Sequence, residues 1–363
     1  MQRHQHGGNL TLMAAKYGLD PEKIIDFSVN VNPLGPPEGV KDLVESGLRY
    51  ITVYPEPHCE ILKEDYASRL GLEPESLIFA NGAVELIYLA MQALRPRTVL
   101  IPGPTFREYE IAACAFQSRL KILRLPQEKG FLPSLGSLLL AAQGADLVFL
   151  CSPNNPTGNL FPRELVKPFL DFCDTEGIFV IVDESFLIFH NCWQELSAAG
   201  DTAVNKNLLV LQSLTKFFAI PGLRVGYGVA HPETVTFLSR FQPPWQVNGL
   251  AQAAAIDAVQ DKEYAHRTRT FIEQERPQFA EALSAVPGIK VYPSEAPYLL
   301  LELSEPLTAQ LVADRLARKG ILVRDCSNFA YLGDKYIRVA VKDREKNHLL
   351  VSELTRLVKD QGF

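Results

Sequence analysis

Lys216 lies in the run Ser213-Leu214-Thr215-Lys216-Phe217-Phe218, and Arg224 follows eight positions on. An amine held among apolar residues gives up part of its charge, and an uncharged amine attacks carbonyls. The hydroxyls of Ser213 and Thr215 and the Arg224 guanidinium are groups that grip phosphate. Together they could hold a phosphorylated carbonyl cofactor as a Schiff base. Taken alone, the same lysine reads more simply as a surface residue between a strand and a loop.

Four other places carry related chemistry. In Asn81-Gly82-Ala83-Val84-Glu85 a strand turns into a helix. Free amides at a helix start bind anions, and Gly82 lets backbone approach a phosphate closely. The plain alternative is a turn that binds nothing. Phe106 could stack on a planar ring or fill the core. Asp183 ends the apolar run Ile178-Phe179-Val180-Ile181-Val182. A carboxylate there could keep a pyridine nitrogen protonated, which makes the ring an electron sink, or it could cap a helix. Asn155, in Ser152-Pro153-Asn154-Asn155-Pro156-Thr157-Gly158, offers its amide to a ring hydroxyl or a carboxylate, or serves the turn itself.

The elements around these residues predict how they would be positioned. Leu77 to Ala80, Thr98 to Ile101, Asp146 to Cys151, Ile178 to Val182 and Asn207 to Leu211 are short apolar runs. A helical stretch over Ala83 to Leu94 follows the first of them. Runs apolar on both faces and separated by helices predict a doubly wound, mostly parallel sheet of the α/β class. Ligands bind beyond the carboxyl ends of such strands, where the polar motifs fall. After about Pro243 the pattern changes. Helices over Ala251 to Val259 and Glu263 to Leu283 precede strands at Ile289 to Tyr292, Tyr298 to Leu303, Ile321 to Arg324 and Tyr336 to Val341. Helices at Thr308 to Arg318 and Arg344 to Val358 complete a smaller α+β unit. The expected division is residues 46–245 as the large domain, with 1–45 and 246–363 as the small one.

Composition narrows the classes. With 363 residues, 47% hydrophobic and 21% charged, the chain is long enough for one large and one smaller domain. A net charge of -6 without a basic block argues against non-specific nucleic-acid binding. The cysteines Cys59, Cys114, Cys151, Cys173, Cys192 and Cys326 form no CxxC pair, as expected of free thiols in a reducing compartment. No apolar signal region opens the chain, so a cytoplasmic protein is expected. His4 and His6 lack carboxylate or thiolate support, and no metal is expected. Neither a GxxxxGK[ST] loop nor a GxGxxG fingerprint follows the early strands.

Taken in order, the glycine turn, the aromatic, the NPTG turn, the strand-ending aspartate and the Ser-x-Thr-Lys run with its arginine resemble a known family. They match the fold-type I pyridoxal-phosphate enzymes of the aminotransferase class I/II superfamily, over essentially the whole chain. The resemblance implies that Lys216 carries pyridoxal 5'-phosphate and Asp183 pairs with its ring nitrogen. Phe106 would stack on the ring and Asn155 would bond its phenolic oxygen. Gly82, Ala83, Val84, Ser213, Thr215 and Arg224 would surround the phosphate. Tyr54, in Val53-Tyr54-Pro55-Glu56, matches a tyrosine lent to a partner subunit, so a homodimer is implied.

Within the superfamily two families come nearest. Histidinol-phosphate aminotransferases share the Tyr-Pro-Glu and the Asn-Asn-Pro-Thr-Gly. The L-threonine-O-3-phosphate decarboxylases of cobalamin biosynthesis share more, including His6-Gly7-Gly8-Asn9, the run from Asp26 to Gly35, and Ser213 to Tyr227. The transaminases usually carry a tyrosine where this chain has Phe186; the decarboxylases carry phenylalanine. By this resemblance Arg338 binds the substrate carboxylate, while Arg324, His6 and Asn30 hold a substrate phosphate, with Gly7 beside them. The implied reaction is decarboxylation of L-threonine O-3-phosphate to 1-aminopropan-2-ol phosphate. Transamination of histidinol phosphate or a related amino acid, and a pyridoxal-phosphate binder without turnover, are the alternatives.

Overall fold

The computed structural model describes residues 7–360. Strand β1 (Ile25–Asp26) lies near the amino end. The runs apolar on both faces form β2 (Leu77–Ala80), β3 (Thr98–Gly103), β5 (Leu147–Cys151), β6 (Phe179–Asp183) and β7 (Leu208–Ser213), with β4 (Arg119–Arg124) and β8 (Gly226–Ala230) beside them. They make one seven-stranded sheet in the order β2-β8-β7-β6-β5-β3-β4. Only β8 reverses: it is antiparallel to both β2 and β7, and the remaining pairs are parallel.

Alternation along the strands splits the core into two faces. Val148 and Leu150 of β5 join Val180 and Val182 of β6 in one apolar cluster. Leu147 and Phe149 join Phe179 and Ile181 in the other, which the helix Ala83–Leu94 covers. Two strands escape the apolar pattern. β4 is an edge strand that carries Arg119, Lys121 and Arg124, with half-exposed side chains between its exposed ends. β8 is glycine-rich because its neighbours come close: a Cβ at Gly226 would stand 2.6 Å from the Ala83 nitrogen and 2.9 Å from the Gln212 oxygen.

The second sheet comes from the later chain: β9 (Ile289–Val291), β10 (Tyr298–Leu303), β12 (Arg324–Asp325) and β13 (Tyr336–Ala340), ordered β12-β13-β10-β9 and antiparallel throughout. The strand expected over Ile321 to Arg324 is instead interrupted at Val323. Its first half, β11 (Ile321–Leu322), pairs in parallel with β1, and the chain then turns so that β12 can pair with β13. The switch sets Arg324 directly opposite Arg338. It also ties the amino-terminal segment to this sheet, because the Ala340 N–H donates to the Phe27 carbonyl at 2.9 Å.

Candidate active site

The carboxyl ends of β5, β6 and β7 bring Cys151, Asp183 and Ser213 to one rim of the large sheet, with Cys151 and Asp183 in register. A cavity of about 420 Å³ opens there. Lys216, Asp183, Asn155 and Phe106 line it, as do Ala83, Val84, Ser213, Thr215 and Arg224. From the other side come Gly7, Asn30, Arg324 and Arg338. Residues as distant in sequence as Gly7 and Arg338 thus share one cavity at the place an α/β sheet offers ligands.

Lys216 sits on the short helix Leu214–Phe217 that leaves β7, and its carbonyl accepts the Asn32 N–H at 3.0 Å. Burial, with the charges of Arg224 and Arg338, pulls its amine down to about 8. Asp183 is held at both oxygens: Ser185 N–H donates to Oδ1 at 2.9 Å and Tyr109 Oη to Oδ2 at 2.7 Å. Tyr109 is buried, stacked on Phe149 at 4.7 Å and edge-on to Phe106 at 5.6 Å. Burial and the adjacent Asp183 carboxylate push its phenol well above the usual range. The next carboxyl, Glu184, is raised by burial to about 7 and accepts from Ser197 Oγ, Ala198 N–H and Gln212 Nε2.

Arg338 donates from Nη1 to Asn155 Oδ1 and from Nη2 to the Ser28 carbonyl at 2.8 Å. Its guanidinium lies 5.1 Å from the Tyr298 ring centre, and Phe186 meets that ring edge-on at 5.0 Å. Arg338 Nε and Asn30 Oδ1 are buried without a hydrogen-bond partner among the described residues. Unmade bonds of this kind are costly unless a ligand completes them.

Does this donor set suit a phosphorylated aromatic cofactor? At the phosphate end, Gly82 has φ of +87°, and a Cβ there would strike Arg224 Nη2. The absent side chain leaves that guanidinium room beside the first turn of the helix Ala83–Leu94, whose amides have no side-chain cap. Ser213 and Thr215 add hydroxyls 2.9 Å apart. At the ring end stand a fixed carboxylate, a stacking phenyl and a partly discharged amine. The residues fit.

A sequence profile of the aminotransferase class I and II family matches residues 22–354. The chain belongs to that family. Its fold is accordingly that of the fold-type I pyridoxal-phosphate transferases. Among class I and II relatives it is similar to the threonine-phosphate decarboxylase of Salmonella typhimurium, 34% identical over 97% of this chain and 96% of the relative. It is also similar to the histidinol-phosphate aminotransferase of Methanocaldococcus jannaschii, 31% identical over 95% of this chain and 92% of that one. The crystal structure of the histidinol-phosphate aminotransferase from Clostridium acetobutylicum superposes with a TM-score of 0.87 at 29% identity, covering 93% of this chain and all of the other.

Most of the candidate residues read from sequence thus line one cavity. Gly82 does not line the cavity itself but abuts Arg224, and Tyr54 lies outside: it is 83% exposed, with its ring 5.1 Å from Trp245. His6 lies outside the described residues. Sequence reasoning missed Tyr109, which reads as a core aromatic because its partner Asp183 is distant in the chain. It also missed Arg107, which lines the cavity beside Phe106. No helix of the described residues is long and apolar enough to cross a membrane.

Proposed function

We propose that this chain decarboxylates L-threonine O-3-phosphate, releasing carbon dioxide and 1-aminopropan-2-ol phosphate. The observation that carries this reading is the pair Arg324 and Arg338, set opposite each other across β12 and β13 and facing the cavity. Two buried guanidiniums side by side repel unless anions separate them. They suit a substrate with two anionic groups, a carboxylate and a phosphate. Phe186 favours the same reading, since it leaves the Tyr298 side of the cavity without the hydroxyl usual in transaminases.

Pyridoxal phosphate, the family's cofactor, supplies when bound a sink for the electron pair of a bond broken at the substrate's α-carbon. Arg224, Ser213, Thr215 and the amides of Ala83 and Val84 would hold its phosphate. Asp183 would face its ring nitrogen, Asn155 its phenolic oxygen, and Phe106 its ring face. Which bond breaks depends on orientation, and that is the task of the arginines. Arg338 and Arg324 would fix the two anions and so select the carboxylate-bearing bond of the α-carbon for cleavage. Lys216 Nζ would then return a proton to the α-carbon. We further assign residues 46–245 to the domain that holds the cofactor, and 1–45 with 246–363 to the one that closes on substrate. The exposed apolar residues Leu48, Ile51, Val53 and Tyr54 support a homodimer in which Tyr54 serves the partner's site.

The depressed amine has a direct consequence. Loading of pyridoxal phosphate onto cofactor-free protein should accelerate with pH through a midpoint near 8, where Lys216 Nζ loses its proton. An unburied lysine would show its midpoint near 10.5. Rapid-mixing absorbance measures the profile, and a midpoint near the higher value would remove burial as the activating cause.

The function itself is tested with loaded enzyme, L-threonine O-3-phosphate and no keto acid, following carbon dioxide. A parallel reaction holds histidinol phosphate with 2-oxoglutarate and follows glutamate. Carbon dioxide without a keto acid is the expected result. Glutamate alone would make the chain a transaminase, and silence in both would point to a binder without turnover.

A further inference from the structure

Three guanidiniums, rather than two, line the substrate end of the cavity. Arg324 and Arg338 face each other from the small sheet, and Arg107 enters from the turn between β3 and the helix Glu108–Ala115. Asn328 connects the first to the third. Its Oδ1 accepts from Arg324 Nη2 at 2.9 Å, and its carbonyl takes a long contact from Arg107 Nη1 at 3.5 Å. Arg324 is depressed chiefly by burial, and the charge of Arg107 adds to that. Among the described residues no carboxylate forms a salt bridge with Arg107. Glu110, one helical turn on, is raised by burial and drawn back by Arg107.

The charge inventory of the cavity makes this third arginine informative. Among the described residues, Arg107, Lys216, Arg224, Arg324 and Arg338 line it beside two carboxylates, Glu108 and Asp183. Arg224 belongs to the cofactor phosphate and Asp183 to the ring. A lone amino-acid carboxylate can serve Arg338 and brings no second charge to the side where Arg107 acts on Arg324. A phosphate monoester carries about two negative charges at neutral pH and several acceptor oxygens, enough for both.

We propose that Arg107 and Arg324 together form the subsite for a distal phosphate, which makes Arg107 a specificity-determining residue for phosphorylated over unphosphorylated amino acids. The inference rests on the proposed function for the identity of the substrate, and on the cavity for the phosphate. Because Arg107 approaches from the large-sheet side, it also sets how far from the ring the phosphate can lie. Phosphothreonine and histidinol phosphate share the monoester that such a subsite would take.

Rapid-mixing titrations of the loaded enzyme separate these questions. O-Phospho-L-threonine, L-threonine and histidinol phosphate are each added to wild type, Arg107→Gln and Arg107→Lys, and the cofactor absorbance change gives Kd. In Arg107→Gln the ratio of the L-threonine Kd to the phosphothreonine Kd should fall about tenfold to a hundredfold, the scale of one lost charge-assisted hydrogen bond. Arg107→Lys should restore part of it. A ratio unchanged because both ligands weaken equally, or because neither does, overturns the proposal. Wild type that binds histidinol phosphate but not phosphothreonine, with the former weakened by Arg107→Gln, supports the phosphate subsite and removes the decarboxylase reading. Failure to bind either monoester overturns both.

Discussion

Lys216→Ala is expected to lower turnover by about four orders of magnitude or more, because it removes both the amine proposed to hold the cofactor and the acid proposed to reprotonate the product. The long-wavelength absorbance of lysine-bound cofactor should vanish with it. The fold should survive. The anchoring bond at this position runs from the Asn32 N–H to the Lys216 carbonyl, which alanine retains. The neighbours Leu214 and Phe217 stay buried and keep the short helix in place. Removing a buried amine that stands near Arg224 and Arg338 also relieves repulsion, so thermal stability of the cofactor-free protein should hold or rise. Turnover and absorbance measured beside a melting curve separate a chemical loss from a folding loss. Near-normal turnover in a folded Lys216→Ala protein would sink the assignment.

Much of this site was legible because its residues sit where strands end. Asp183 closes an apolar run, and Ser213 to Lys216 follow another. An α/β sheet sends such positions to one rim whatever the details of packing. The strands themselves were readable for the same reason: β5, β6 and β7 are buried on both faces, so their apolar character is continuous. β4 and β8 carried no such signal. One is an edge strand whose charges reach solvent, and the other is built of small residues so that neighbouring backbone can approach. The arginine pair was legible residue by residue but not as a pair. Its geometry depends on the break at Val323, and nothing in Ile321-Leu322-Val323-Arg324 announces that half of the run pairs with β1 and half with β13. Tyr109 was hidden for a different reason. A buried aromatic one helical turn after another is ordinary core, and only the tertiary contact shows that its hydroxyl has work at Asp183.

That contact frames the second large effect. Asp183→Asn should lower turnover by about 100- to 1,000-fold, the range found when a fixed electrostatic partner of a reacting group is lost. The carboxylate is not simply nearby: Ser185 N–H fixes Oδ1 and Tyr109 Oη fixes Oδ2, leaving the remaining lone pairs for the cavity. An asparagine keeps the shape and loses the charge. Its amide nitrogen must also replace one of the two oxygens, and so meets either the Ser185 N–H or the Tyr109 hydroxyl. Cofactor retention should be affected far less, because Gly82, Ser213, Thr215 and Arg224 lie at the phosphate end. Tyr109→Phe removes only one donor to Asp183 and should cost about tenfold. Turnover and cofactor Kd measured for both variants discriminate the roles. A loss of affinity with turnover intact would make Asp183 a structural residue at the end of β6, with Tyr109 as its cap. A loss of turnover with affinity intact, larger for Asp183→Asn than for Tyr109→Phe, is what a charge held against the ring nitrogen requires.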